Sequence, residues 1–256
     1  MTPTPYPKVN DLLSDLLEYL KQTLQDDLLA LYLYGSLVTG DFDPDLSDVD
    51  LLAVVASALS PDNFGHLDEL HRRLTAKHPK WENRLEVAYL STGALQTFKT
   101  QRSQIAVISP GEPFNVKEVG REYLMNWYLV RERGKTLFGP PPQHYIAPVA
   151  QKEFLESVRE HVSLWRNGWL DEVDTRAEQA YVVLTFCRAL CVLQTGEQVS
   201  KKQAVTWVGK RYPQWRSLVE NAFLWRKVYP EGIDHTETLP KMLAFVQFAT
   251  EQINSG

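Results

Sequence analysis

Two cysteines are all that 256 residues provide, which excludes a disulfide framework as the source of stability. Cys187 and Cys191 stand four apart in an apolar run, the spacing of one helix face, and read as reduced core residues. No apolar stretch of about 18 residues occurs, so no membrane-spanning helix and no membrane partner are expected. The opening MTPTPYPKVNDLLSDLLEYL lacks a basic flank followed by an apolar signal core, which makes the cytoplasm the expected location. Positive charge is also in short supply: 27 Lys and Arg against 32 Asp and Glu leave a net charge of -5. That balance argues against nucleic acid as a partner, because such binding draws on clustered cations that displace counterions. A cationic partner suits the surface better, and the same modest acidity also serves solubility. Internal repeats and low-complexity tracts are missing as well.

What the chain does have is the balance of a globular protein, 44% apolar and 23% charged, with length enough for one or two domains. Leu12, Leu13, Leu16, Leu17 and Leu20 form the single apolar stripe of an amphipathic helix over about residues 10–25. Apolar runs then predict strands at Leu28–Tyr34, Val49–Val55 and Arg84–Leu90, with a helix over about 62–77 between the second and third. Strand signals fade past residue 110. Lys117 to Arg133 reads as a helix stopped by Gly134, and LFGPPP as a rigid extended connection. Five more helices are expected near 151–167, 175–195, 201–211, 214–228 and 237–253, with Gly196 as a stop and Ser200 and Thr236 as N-caps. Six of the seven tryptophans lie in this second half, as an aromatic-rich bundle core would require. The expected class is α+β: a mixed-sheet domain over residues 1–112 followed by an all-α helical bundle over 113–256.

The stretch LYLYGSLVTGDFDPDLSDVDLLAVV carries the chemistry. Gly35, with no side chain, lets backbone N–H groups approach a phosphate, and Ser36 adds a hydroxyl at an expected helix start. Asp48 and Asp50 are two apart on a strand, so they leave the same face about 7 Å apart along the backbone. Carboxylates about 4 Å apart repel by about 4 kcal/mol at an effective dielectric near 20; such a pair asks for a cation. Glu86 stands between Leu85 and Val87 on the third strand, where a glutamate is out of place unless it is used or paired, for instance with Arg84. On an adjacent strand it either joins a metal shell or accepts the proton of an attacking hydroxyl. Taken singly, each of these pieces is also an ordinary turn or strand edge; the ordered combination is what carries the reading. Asp41, Asp43 and Asp45 do not form a calcium loop, because Leu46 and Leu52 stand where that loop needs glycine and glutamate.

Gly35-Ser36, a short turn-rich insert, Asp48-x-Asp50 and a later Glu86 together resemble the signature of the DNA polymerase beta-like nucleotidyltransferase superfamily. More narrowly, the chain resembles the streptomycin/spectinomycin aminoglycoside adenylyltransferases. WYLVRERGKTLFGPPP, VVLTFCRALCVLQTGEQVSKKQAVTWVGKRYP and the helix before LLALYLYGS extend that likeness over nearly the full length. The resemblance implies a nucleotidyltransferase domain followed by a helical domain closing over nucleotide and acceptor. It also implies ATP as co-substrate, Mg2+ held by Asp48, Asp50 and Glu86, and Glu86 as the base toward the acceptor. Gly35, Ser36, Arg188 and Lys201 would hold the nucleotide phosphates. Trp165 or Trp169, with Asp174, Glu178 and Glu86, would meet a cationic aminoglycoside. The family's nucleotide-contacting tyrosine is replaced by Phe223 unless Tyr229 takes its place. The implied activity is transfer of AMP from ATP to an acceptor hydroxyl with release of pyrophosphate, by a monomer. The alternatives are the same transfer onto another metabolite or a protein side chain, and a non-catalytic nucleotide-binding module.

Overall fold

The computed structural model describes residues 2–166, 170, 173–226 and 236–254. Two compact units divide the chain, one through Val149 and one from Ala150 onward. In the first, α1 (Pro7–Leu24) buries Leu12, Leu13, Leu16 and Leu20 as their spacing requires, while Leu17 is only partly covered. The chain then enters β1 (Leu28–Tyr34), turns through the short helix α2 (Ser36–Thr39), and returns as β2 (Val49–Val55). Helix α3 (Pro61–Lys77) is N-capped by Ser60, whose hydroxyl accepts from the amide of Asn63, and crosses to β3 (Leu85–Ser91). After α4 (Thr92–Thr97) come β4 (Ser103–Ser109), β5 (Glu112–Val119), α5 (Leu124–Arg133) and β6 (Lys135–Phe138).

The strands form one sheet in the order β5-β4-β3-β2-β1-β6. Only β2 and β3 pair in parallel, because the α3 crossover brings β3 back to the same end at which β2 began. Period-two alternation divides the side chains. Leu31, Leu33, Val49, Leu51, Leu85 and Val87 join the core with the leucines of α1 and α3, which leaves Tyr34, Asp50 and Glu86 on the opposite face.

The sheet is larger than the three strands expected from sequence. β5 is an edge strand that carries the charged residues Glu112, Lys117 and Glu118, with both glutamates exposed, a device by which an edge avoids pairing with other chains; its apolar pattern is correspondingly thin. It occupies the start of the segment read as a helix from Lys117, so the helix there is confined to Leu124–Arg133. β6 has four residues, half of them exposed, and precedes the proline run. Because β5 and β6 are both hydrogen-bonded into the sheet, the first unit extends to Val149 and not to residue 112.

The second unit contains α6 (Gln151–Arg166), α7 (Arg176–Thr195), α8 (Lys201–Arg211), α9 (Arg216–Trp225) and α10 (Leu239–Asn254). Helix α7 packs against the other four and buries residues around its whole circumference, including Cys187 and Cys191, the behaviour of a central helix. A reciprocal capping box of Thr175 and Glu178 starts it, and Gly196 at φ 74° ends it. Ser200 and Gln203 cap α8 in the same way, whereas α10 begins at Leu239, three residues past the expected cap Thr236. Trp127 is fully buried but belongs to the first unit. Trp207, Trp215 and Trp225 are half-buried, Trp215 against Phe245 and Trp225 under Arg176. The expectation that most tryptophans fill a helical core is therefore corrected for these three.

Candidate active site

Cross-strand register assembles the site. Tyr34 on β1 lies opposite Asp50 on β2, and Asp50 lies opposite Glu86 on β3. Asp48 precedes β2 by one residue and stands close enough to Glu86 for its charge to act on it. The three expected carboxylates therefore come together on one face of the sheet.

Gly35 fits against Asp50 in a way no other residue could. A Cβ there would lie 1.8 Å from Oδ2 of Asp50, and its φ of +69° is one that L side chains rarely adopt. Ser36 opens the short helix behind it, with the carbonyl of Gly35 accepting from Val38 and Thr39. The strand-end glycine thus brings backbone up to the carboxylate and starts a helical turn there.

The insert before Asp48 is anchored from within the same unit. The amide of Asp43 donates to Oγ of Ser47 at 2.9 Å, and the carbonyl of Asp43 accepts from Ser47 at 2.8 Å. Arg84 donates to the carbonyls of Pro44 and Ser47, lies over the Trp81 ring at 4.9 Å, and pins the loop from outside. Its guanidinium is engaged there, so pairing with Glu86 does not explain the strand glutamate. Lys80 pairs with Asp45 at the surface of the loop.

Glu86 is mostly buried, and burial together with the negative charge of Asp48 raises its carboxyl above the usual range. Two groups oppose that rise: the hydroxyl of Tyr34, donating to Oε1 at 3.0 Å, and the ammonium of Lys117 on β5. Lys117 is itself paired with Glu112. Tyr123, stacked on Trp127 with ring centroids 5.5 Å apart, also lies within electrostatic reach of Glu86. Tyr34, Lys117 and Tyr123 were not singled out from sequence. A tyrosine in an apolar strand reads as core, and Lys117 sat in what read as a helix.

The donor set suits a hard divalent cation, being oxygen only and dominated by ionisable carboxyls. Among the described residues no three His, Cys, Asp or Glu side chains close on a common ion by themselves. The expected three-carboxylate shell of Asp48, Asp50 and Glu86 is therefore not closed by these side chains alone.

In the second unit, Arg188 lies on α7 and Lys201 is the first residue of α8. Arg188 is near His161 of α6, whose imidazole is held below its ordinary pKa by burial and by that positive charge. Glu178 serves the start of α7: its Oε2 accepts from the amides of Asp174 at 3.0 Å and Thr175 at 2.8 Å and from the Thr175 hydroxyl at 2.8 Å. Burial opposes ionisation, but those donors keep its carboxyl below the usual range. Asp174 is exposed beside it. Phe223 is partly buried with Arg226 over its ring at 5.2 Å. The Trp165 side chain, Trp169 and Tyr229 lie outside the described residues.

A model of the nucleotidyltransferase domain matches residues 13–119, the span holding the glycine turn and all three carboxylates. Sheet and site thereby define the chain as a nucleotidyltransferase. A second model, the C-terminal domain of aminoglycoside adenylyltransferases, matches residues 145–252. Two curated relatives, the aminoglycoside (3'') (9) adenylyltransferases of Klebsiella pneumoniae and Escherichia coli, are each 26% identical over 84% of this chain and 84% of their own. Along the chain, then, a match to the nucleotidyltransferase domain is followed by a match to the C-terminal domain of aminoglycoside adenylyltransferases. A spectinomycin adenyltransferase from Enterococcus faecialis, solved with ATP and spectinomycin, shares the fold with a TM-score of 0.74 and 16% identity over 95% of this chain and 98% of that one. No helix among the described residues is long and apolar enough to cross a membrane.

Proposed function

We propose that the protein transfers AMP from ATP to a hydroxyl of a cationic aminoglycoside such as streptomycin or spectinomycin, releasing pyrophosphate in the cytoplasm. The observation that carries this reading is the row in which Asp50 and Glu86 occupy paired positions on parallel strands, with Gly35 packed against the Asp50 carboxylate. Glu86 takes the acceptor's proton, for which a buried carboxyl of raised pKa is better matched than an exposed one. The freed oxygen attacks the α-phosphorus in line as the bond to pyrophosphate breaks. Asp48 and Asp50 would hold magnesium, which when bound would neutralise phosphate charge and polarise the reacting oxygens, while Glu86, the third carboxylate expected around the ion, is given to the proton. Ser36 and the amides after Gly35 receive phosphate oxygens, and Arg188 and Lys201 supply the cations for the nucleotide phosphates. Trp165 or Trp169, Asp174 and Glu178 are assigned to the acceptor. Acids attract a polyamine, and Glu178 does so with the carboxylate that also caps α7.

The test is incubation of the purified chain with each nucleoside triphosphate, Mg2+ and an aminoglycoside panel, with products weighed by mass spectrometry. An AMP adduct of an antibiotic is expected with ATP, and its loss in Asp48→Asn and Asp50→Asn variants that retain their fold. ATP turnover without an adduct on any antibiotic moves the acceptor to another metabolite or a protein. Adduct formation by either Asn variant at the wild-type rate defeats the assignment.

A further inference from the structure

The same row of paired positions holds a third member that the proposed chemistry leaves idle. Tyr34 closes β1, opposite Asp50, with its side chain on the carboxylate face. Its hydroxyl passes over the intervening strand and donates to Oε1 of Glu86 at 3.0 Å. Strands β1 and β3 are two ladder spacings apart, roughly 9 to 10 Å, a gap that a serine or threonine could not bridge. The phenol is 5% exposed and in turn interacts with the side-chain amide of Asn126 on α5. A phenol has one proton. Since the carboxylate can only accept while ionised, the order is fixed: Asn126 donates to the Tyr34 oxygen, and Tyr34 donates to Glu86.

We propose that Tyr34 is a positioning residue for Glu86: held by Asn126, its hydroxyl fixes one carboxylate oxygen and leaves the other for the acceptor's proton. The inference rests on Glu86 acting on the acceptor as proposed above. It gives α5 a part in the reaction, since the helix sets the tyrosine and the tyrosine sets the carboxylate. A carboxylate free to rotate would meet the acceptor hydroxyl in a productive orientation less often, lowering the rate of the step without changing how ATP binds.

Tyr34→Phe keeps the ring and its packing and removes only the donor. Steady-state kinetics and thermal unfolding are measured for the wild type, Tyr34→Phe, Asn126→Ala, their double variant, and Glu86→Gln as reference. The expected result for Tyr34→Phe is a fall in kcat of about tenfold, the scale of a lost hydrogen bond to a charged group, with KM for ATP within about twofold. Asn126→Ala should lower kcat less, and should add almost nothing in the Tyr34→Phe background, because both act through one hydroxyl. Wild-type kcat in Tyr34→Phe, a loss wholly in KM for ATP, or full additivity with Asn126→Ala overturns the positioning role. If Glu86→Gln collapses turnover while Tyr34→Phe does not, this inference alone fails. If Glu86→Gln turns over like the wild type, the proposed role of Glu86 and this inference fall together.

Discussion

Replacing Gly35 by alanine separates two effects that usually come together in glycine substitutions. The new methyl would sit 1.8 Å from Oδ2, 2.7 Å from Cγ and 3.1 Å from Cβ of Asp50. These contacts force the carboxylate off its position, and overpacking of that kind costs about 1 to 3 kcal/mol. The φ of +69° adds about 1 to 2 kcal/mol for any L residue. Gly40 supplies the control: its φ is +80°, yet an added Cβ there meets nothing within 4 Å. Gly40→Ala should therefore carry only the conformational cost and keep its turnover. Gly35→Ala should carry both costs and also lose about 100-fold in turnover, the scale of an ångström-sized misplacement of a reacting group. Urea unfolding and a pyrophosphate-release assay on the two variants measure the two quantities independently. Near-normal turnover in Gly35→Ala, or equal losses in both variants, would refute the claim that this glycine exists to seat Asp50.

Glu178→Gln distinguishes the two uses assigned to that side chain. Glutamine completes a capping box at the same position, so unfolding free energy should change by less than about 0.5 kcal/mol, while KM for a cationic acceptor rises; an unchanged KM removes Glu178 from the acceptor site. His71, buried on α3 with Nε2 2.8 Å from the Tyr89 hydroxyl, is held at a pKa of about 4, chiefly by burial. The unfolded imidazole takes its proton near 6.5, before the folded one does, so stability should fall by up to about 1.4 kcal/mol per unit as pH drops from 6.5 toward 4. Urea titrations across that window should show the wild type losing stability relative to His71→Gln, and parallel curves would contradict a neutral buried histidine.

The parts of the site that were legible in sequence are those whose residue type conflicts with their surroundings. A glycine ending an apolar strand, aspartates opening another, and a glutamate between Leu85 and Val87 each break a local pattern, and the structure puts all of them on one face. Tyr34 breaks none, because tyrosine is at home in a strand; only the register showed that it reaches past Asp50 to Glu86. Five long helices and the first three strands appear within a few residues of where periodicity put them, since each carries a full stripe of apolar residues. β4, an interior strand, went unread although SQIAVIS carries an apolar run, whereas β5 and β6 were missed for a reason tied to their position at the two edges of the sheet. An edge strand needs one apolar face at most and carries charge to discourage partners, so EPFNVKEV offers little alternation to detect. Lys117 was lost with it, although it is the cation in the first unit that acts on Glu86.

Parallel pairing of β2 with β3 also decides how the carboxylates of Asp50 and Glu86 can move. Their spacing is set by ladder hydrogen bonds and not by a loop, and a one-residue slip would turn Asp50 and Glu86 inward while expelling Leu51 and Val87. Geometry at the reaction centre is therefore tied to the cooperative melting of the sheet: amide protons of Leu51 and Val87 should exchange with solvent only when the whole unit opens. Variation in what the enzyme accepts is then left to side chains standing outside that ladder.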